Sequence, residues 1–421
     1  MTMNEDEELA FLLQAAAKNK AKIEQENKLE ELPEELFKNL PKKPSEEYPN
    51  GDYPTRDTIA YSKDTKNGNA NISGTPNEHV GYRPKNSKQE KDLEYLKEAR
   101  PFLREAGIAH QKVREWAVSE TGPIKVGAKL WDICSGIEEA VRREVNYDPR
   151  EPSRRCLGFP CGCSINAEAA HYSPTSRVDT RTLGKSDVMK IDFGVAIEGN
   201  IIDSAFSVCF DDRFKPLIDA SRDATNSAIR VCGPDARICE VSGVIEEVIK
   251  SYQIELDGKI IPIKPMSNLN GHGLGQYLVH CGNVIPNVKE HPGYPLYDAK
   301  MEVGEYYALE TFATTGVAYV EGKGAPSHFM INPKAPKAKK GNLRDLQDCI
   351  LKNFKTMAFS QRFLEKAGQK NFKTTLDKLI QMKIVNPYPP LVDSEGSYVS
   401  QYEHCFGIFE NGLEVFSRDH E

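Results

Sequence analysis

From residue 90 onward the chain alternates between two kinds of hydrophobic pattern. In Leu93–Ser119 the apolar side chains Leu96, Ala99, Leu103, Ala106, Val113 and Ala117 recur at helical spacing, which predicts an amphipathic helix. Leu130–Val145 predicts a second helix, and a β-rich region then runs to Phe210. Inside that region Val188–Ala196 and Ile201–Phe210 are joined around Glu198-Gly199-Asn200, a turn signal, so a hairpin is predicted. Pro216–Val231 and Ile238–Tyr252 predict two further helices. They precede a second β-rich region with Lys259–Ile263, Tyr306–Thr314 and His328–Ile331. Two helices then sheet, twice over, predicts two structurally similar halves in an α+β fold, with helices on one face of a mainly antiparallel sheet. The repeat is one of element order, not of sequence. Leu346–Asn353 and Arg362–Met382 break the pattern as helices before the Pro387-Tyr388-Pro389-Pro390 turn. The final strands are predicted at Ser397–His404 and Phe406–Phe416.

Residues 1–88 differ from the rest. Glu8–Phe37 is rich in Glu, Lys, Ala and Gln and predicts a surface helix, whereas Pro41–Lys88 is polar, with many Pro, Gly, Asn and Ser. Such a segment buries too little apolar area to offset chain entropy, so disorder or an extended wrap is expected. The domain organisation predicted is an extension over 1–88 and one domain over 89–421, interrupted by a helical insertion at about 341–386. A formal net charge of −7 gives no global attraction to nucleic acid or anionic membrane. No apolar run approaches the ~18 residues needed to span a bilayer, and the acidic N-terminus lacks the apolar core of a signal peptide. A cytoplasmic protein is expected. The ten cysteines lie mostly in apolar segments and are expected to be reduced. Cys161-Gly162-Cys163 has no second Cys/His pair at zinc-finger spacing.

Against this background five metal-compatible side chains stand out: Asp192, Asp203, His272, Glu310 and Glu403. Each lies in a strand-like segment or at the edge of one. Taken singly, an Asp in a strand is most simply a surface or hydrogen-bonded residue, and a His on an apolar face a satisfied core residue. The set is harder to dismiss, because charges inside apolar strands are costly unless paired or bound to metal. Four carboxylates and an imidazole suit two divalent ions such as Mn²⁺, Fe²⁺, Co²⁺ or Zn²⁺. The predicted hairpin can also aim Asp192 and Asp203 at one point.

At these residues the chain resembles the type 2 methionine aminopeptidases. The resemblance covers roughly residue 90 to the C-terminus. It includes Gly162-Cys163-Ser164-Ile165-Asn166, Ala169-Ala170-His171-Tyr172, Lys190-Ile191-Asp192-Phe193-Gly194, Ile201-Ile202-Asp203, Asn268-Leu269-Asn270-Gly271-His272 with His280, Glu310-Thr311-Phe312, Ser327-His328, Pro387-Tyr388-Pro389-Pro390 and Glu403-His404. The helical insertion is the mark that separates type 2 from type 1 enzymes.

The resemblance implies the pita-bread fold, a dimetal site, and removal of initiator methionine from nascent proteins whose second residue is small. In that pattern Asp192 chelates one ion, His272 and Glu310 hold the other, and Asp203 and Glu403 bridge both. A water between the ions would become hydroxide near neutral pH. Glu310 would also take its proton, His280 would stabilise the carbonyl oxyanion, and His171 would assist departure of the scissile nitrogen. Phe159, His328 and Tyr388 would line the methionine pocket, and Val279 would lie near the second substrate residue. The family often carries lysine-block extensions tied to ribosome or initiation-factor contacts. This extension is mixed and mildly acidic, which weakens that expectation. A monomer with no sequence-specific nucleic-acid contact is expected.

Two other readings stay open at this point. A prolidase or aminopeptidase P would use the same five ligands on an imino bond, although the helical insertion and the Asn270-Gly271-His272 context argue against it. A non-catalytic protein of the same fold would bind RNA or a protein, but such homologues lose ligands, and none is lost here.

Overall fold

The computed structural model describes residues 32–61, 81–290 and 299–418. The chain divides into two units, at Lys38 and Asn39. In the first, Glu34–Phe37 forms one turn of 3-10 helix. Most of the helix predicted over Glu8–Phe37, and much of the 1–88 extension, lie outside the described residues.

Two helices, α1 (Ser87–Val118) and α2 (Leu130–Glu144), precede β2 (Arg155–Ile165), β3 (Met189–Ile197) and β4 (Asn200–Val208), which form an antiparallel sheet in that order. An earlier strand, β1 (Asp57–Ala60), belongs to the second sheet. The β3–β4 hairpin turns at Glu198 (φ 51°) and Gly199 (φ 78°). Two successive positive φ values match the right-handed twist of the flanking strands, as the Glu-Gly turn predicted. Two more helices, α3 (Lys215–Val231) and α4 (Ile238–Lys250), precede β5 (Asn270–Gly275), β6 (Leu278–Pro286) and β7 (Tyr306–Thr314). With β10 (Val399–Ile408) and β11 (Gly412–Val415) these give a sheet in the order β1-β11-β10-β7-β5-β6. Every named strand pairing among the described residues is antiparallel.

The two halves meet where β4 lies against β10. Ser204 Oγ donates to the Glu403 carbonyl at 2.7 Å, and Ser207 Oγ donates to that of Gln401 at 2.9 Å. Helices α1 and α2 pack on the first sheet and α3 and α4 on the second. Strand alternation then sorts the side chains. Phe193 stacks on His110 of α1, with ring centroids 4.0 Å apart, while Asp192 faces the other way. This is the two-half pita-bread arrangement, with helices outside and a cavity on the inner face.

Several boundaries differ from expectation. Helix α1 starts six residues before Leu93, because its first turn is polar. The Asn86 side chain caps it, accepting from Lys88 N and Gln89 N. The helix predicted over Arg362–Met382 is two, α6 (Gln361–Lys366) and α7 (Lys373–Gln381), which follow α5 (Asn342–Phe354). Gly368 (φ 82°) and Asn371 (φ 54°) take left-handed backbone between them and end the first helix. The last strands do not part at Cys405: β10 runs through it, and the turn falls at Phe409–Asn411. Lys259–Pro262 pairs with Gln253–Leu256 in a separate hairpin, around Asp257-Gly258. Asp57–Ala60, inside the predicted extension, is an ordered edge strand on Gly412–Val415.

Candidate active site

The strand registers bring the five candidate ligands together. On the hairpin Asp203 lies opposite Gly194, two residues from Asp192, so both carboxylates are diagonal neighbours on one face. On the second sheet Glu310 of β7 lies directly opposite Glu403 of β10. His272 of β5 lies opposite Ala308, two residues from Glu310. Period-2 alternation therefore puts His272, Glu310 and Glu403 on the same face, and the β4–β10 contact brings that face to the hairpin. Glycines permit the approach: a Cβ at Gly271 would stand 2.8 Å from the Ala308 carbonyl.

Asp203, His272 and Glu403, each under 5% exposed, offer ligand atoms all within 4.8 Å of one another. His272 Nε2 is 3.7 Å from Asp203 Oδ2. Gln401, which is fully buried, donates through Nε2 to Asp192 Oδ2 and Glu310 Oε2, both at 3.1 Å. Gln401 was missed from sequence. Its signal was the spacing Gln401-x-Glu403, which places it on the same face of β10 as Glu403. Two carboxylate oxygens, Asp192 Oδ1 and Glu403 Oε2, are buried without a partner.

Burial pushes the carboxyl groups up: Asp192 to about 6, and Asp203, Glu310 and Glu403 well above the ordinary range, with mutual repulsion raising the last three further. Burial also lowers His272, and His280 beside it lowers it again. A largely buried cluster of four carboxylates with orphaned oxygens and a neutral imidazole is the environment that cations relieve. Four negative charges are what two divalent ions neutralise, so the donor set fits the metals implied by the sequence.

The cluster lines a cavity of about 230 Å³. All eleven residues singled out from the sequence line it: the four acids and the imidazole above, and His171, His280, Phe159, Val279, His328 and Tyr388. His280 stacks obliquely on His272, with ring centroids 3.8 Å apart. It lines the cavity and keeps exposed surface, while desolvation of its ring lowers its pKa. His171 holds a left-handed backbone (φ 63°), and its Nδ1 is buried without a partner. Burial lowers it to about 3, helped by His328 and His280, so its ring is neutral at physiological pH.

The far wall is apolar. Phe159, Val279 and Ala358 pack together with Met330 at their edge. Val279, expected beside the second substrate residue, thus shares a cluster with Phe159. Phe159 lies over Gly194, where a Cβ would come within 2.5 Å of its ring. His328 and Met330 alternate on β8 (His328–Ile331), and Tyr388 lies opposite His328 on β9 (Val385–Tyr388). Ala358 follows α5, so the helical segment itself contributes to the wall. Met330 and Ala358 were not singled out from sequence, since apolar residues in apolar runs carry no local mark of a pocket.

The model of metallopeptidase family M24 matches residues 102–331, more than half of the chain. Methionine aminopeptidase 2 of Komagataella phaffii is 38% identical over 94% of this chain and 82% of its own length. Methionine aminopeptidase 2 of Podospora anserina is 41% identical over 75% of this chain and 70% of its own. A solved structure of a thermophilic Arx1 shares the fold, with a TM-score of 0.61 over 75% of this chain and 89% of that one, at 16% identity. With a family model matched over more than half of its length and relatives this similar over most of theirs, the chain belongs to metallopeptidase family M24, among the type 2 methionine aminopeptidases.

Proposed function

We propose that this metal-dependent aminopeptidase, which removes N-terminal methionine, works through two divalent ions held by Asp192, Asp203, His272, Glu310 and Glu403. The observation that carries this reading is the convergence of all five ligands and both candidate catalytic histidines on one cavity, where buried carboxylate oxygens lack partners. Asp203 and Glu403 would be shared by the ions, with Asp192 helping to hold one and His272 and Glu310 the other. When bound, such ions supply an acidified water as nucleophile and an electrophilic anchor for a free amine.

The chain's own groups do the rest. Glu310 would take the proton that the nucleophile gives up. His280, which lines the cavity and is neutral at physiological pH, is assigned a hydrogen bond to the substrate carbonyl, where charge develops. His171 is assigned the scissile nitrogen. Its Nδ1 is buried without a protein partner, which supports that reading. Phe159, His328 and Tyr388, with Met330 and Ala358, would receive the methionine side chain, since a flexible thioether suits an apolar, adaptable wall. Val279 is assigned contact with the second residue. The substrate is thus the N-terminal methionine of nascent polypeptides. No described helix is long and apolar enough to cross a membrane.

The test is His272→Ala, assayed for metal content and for release of methionine from Met-Ala-Ser. Loss of one ion and of turnover in a folded protein is expected. Wild-type turnover with unchanged metal content would overturn the ligand assignment.

A further inference from the structure

His171 is held in a backbone conformation that a non-glycine residue adopts at a cost. Something must pay for it, and the groups behind the cavity wall form a continuous hydrogen-bonded chain. Ser327 Oγ donates to the His171 carbonyl at 2.7 Å and accepts from Ser173 N–H at 3.2 Å. The same hydroxyl stands 3.0 Å from His328 Nδ1. Ser173 Oγ donates to the Cys161 carbonyl at 2.6 Å and accepts from Arg362 Nη2 at 2.8 Å. Arg362, on α6 of the helical segment, also donates to the Pro174 carbonyl through Nη1, and Nη2 meets Glu138 Oε1 of α2 at 2.6 Å. Ser173, Ser327, Glu138 and Arg362 are all more than nine-tenths buried.

We propose that Ser327 and Arg362 are positioning residues for His171. Ser327 fixes the His171 carbonyl, and hence the left-handed turn that aims the imidazole into the cavity. Arg362 clamps the two residues that follow Tyr172 and so sets the height of that turn against β2. The helical segment then contributes to catalysis in two ways, through its wall and through the peptide 171–174. Neither residue lines the cavity, so each acts through residues that do: Arg362 through the peptide that follows His171, and Ser327 through the His171 carbonyl and, secondarily, through His328. A buried guanidinium paired with one carboxylate and satisfied by two further acceptors is a rigid tether, since breaking any branch strands a charge or a carbonyl away from water.

The inference rests on the reading of His171 as a catalytic residue, and a double-mutant cycle separates the two. Ser327→Ala, His171→Ala and the double variant are compared by kcat and KM for Met-Ala-Ser at saturating metal. Metal content and thermal midpoint are recorded for each. Ser327→Ala alone is expected to lower kcat about tenfold, the rate equivalent of one net hydrogen bond. KM and metal content should be little changed. In the His171→Ala background the same substitution is expected to change kcat by less than about twofold, because the group it positions is gone. Ser327→Thr, which keeps the hydroxyl, should restore most of the rate. Equal loss in both backgrounds, or no loss in the first, would overturn the positioning role. Wild-type kcat in His171→Ala would instead overturn the catalytic reading of His171. If Ser327→Ala does not fold, Ser173→Ala, which cuts the Arg362 branch, enters the same cycle with the same expected outcomes.

Discussion

Gln401 offers the sharpest test of how the cluster is organised. Its side-chain amide bridges Asp192 and Glu310, carboxylates on opposite halves of the fold, at 3.1 Å each. Gln401→Met keeps the shape and length of the side chain, so packing is largely preserved, but removes both donors. Each hydrogen bond to a charged group is worth roughly 1.5–3 kcal/mol. Their sum is an upper bound, because on the proposed assignment each carboxylate would still be held by a bound ion. Loss of a group that orients metal ligands typically costs about 10–100-fold in metal affinity or activity, or ~1.4–2.8 kcal/mol. The variant should therefore bind Mn²⁺ or Co²⁺ about 10–100-fold more weakly, with turnover partly recovered by excess metal. Calorimetric titration of metal-stripped protein measures the first, and kcat for Met-Ala-Ser at rising metal concentration the second. Affinity within about twofold of wild type would show that the bridge does not orient the ligands, and the reasoning would fail.

Three further outcomes follow from the same geometry. In metal-stripped protein the folded-state pKa of Asp192 is raised to about 6 by burial, so the folded state binds more protons than the unfolded. Stability should fall as pH rises from about 4 to about 6 and further as the other three acids ionise, while metal-loaded protein resists; melting curves across pH should show the gap widening. A Cβ at Gly194 would press on the Phe159 ring. Gly194→Ala should therefore raise KM for Met-Ala-Ser about tenfold with metal content unchanged, as steady-state kinetics and metal analysis will read. Truncation to residue 62 should destabilise the protein by about 3 kcal/mol or more relative to truncation to residue 39, in denaturant titration. The first removes β1, the buried Tyr61, and Arg56, whose Nε donates to the Phe416 carbonyl.

Much of the fold was legible because both halves write their periodicity plainly. Tyr306–Thr314 and the Glu198-Gly199 turn fall where the pattern puts them, since apolar alternation and a positive-φ turn are local signals. The helix break at Gly368–Asn371 was less visible, because apolar residues resume on its far side. The site was legible as a set of unlikely residues, not as a geometry. Asp192, His272 and Glu403 are far apart in sequence, and their convergence depends on registers such as Glu310 opposite Glu403, which no local window contains. Gln401 escaped notice because an amide in a strand carries no chemical alarm. Only its neighbours at 3.1 Å give it a role. The ordered strand at Asp57–Ala60 was hidden because its partner, Gly412–Val415, lies at the other end of the chain.

The central claim, that these five ligands and this cavity perform metal-dependent release of N-terminal methionine, is tested most directly on the full chain stripped of metal and reconstituted with known amounts of Mn²⁺ or Co²⁺. Methionine release from Met-Ala-Ser, from its N-acetylated form and from an Xaa-Pro peptide is measured against metal added. The account predicts no turnover without metal and activity that rises to a plateau near two ions per chain. Cleavage should be confined to the free-amine methionine peptide. Turnover in the metal-free protein, or equal cleavage of the acetylated or Xaa-Pro peptide, would contradict it.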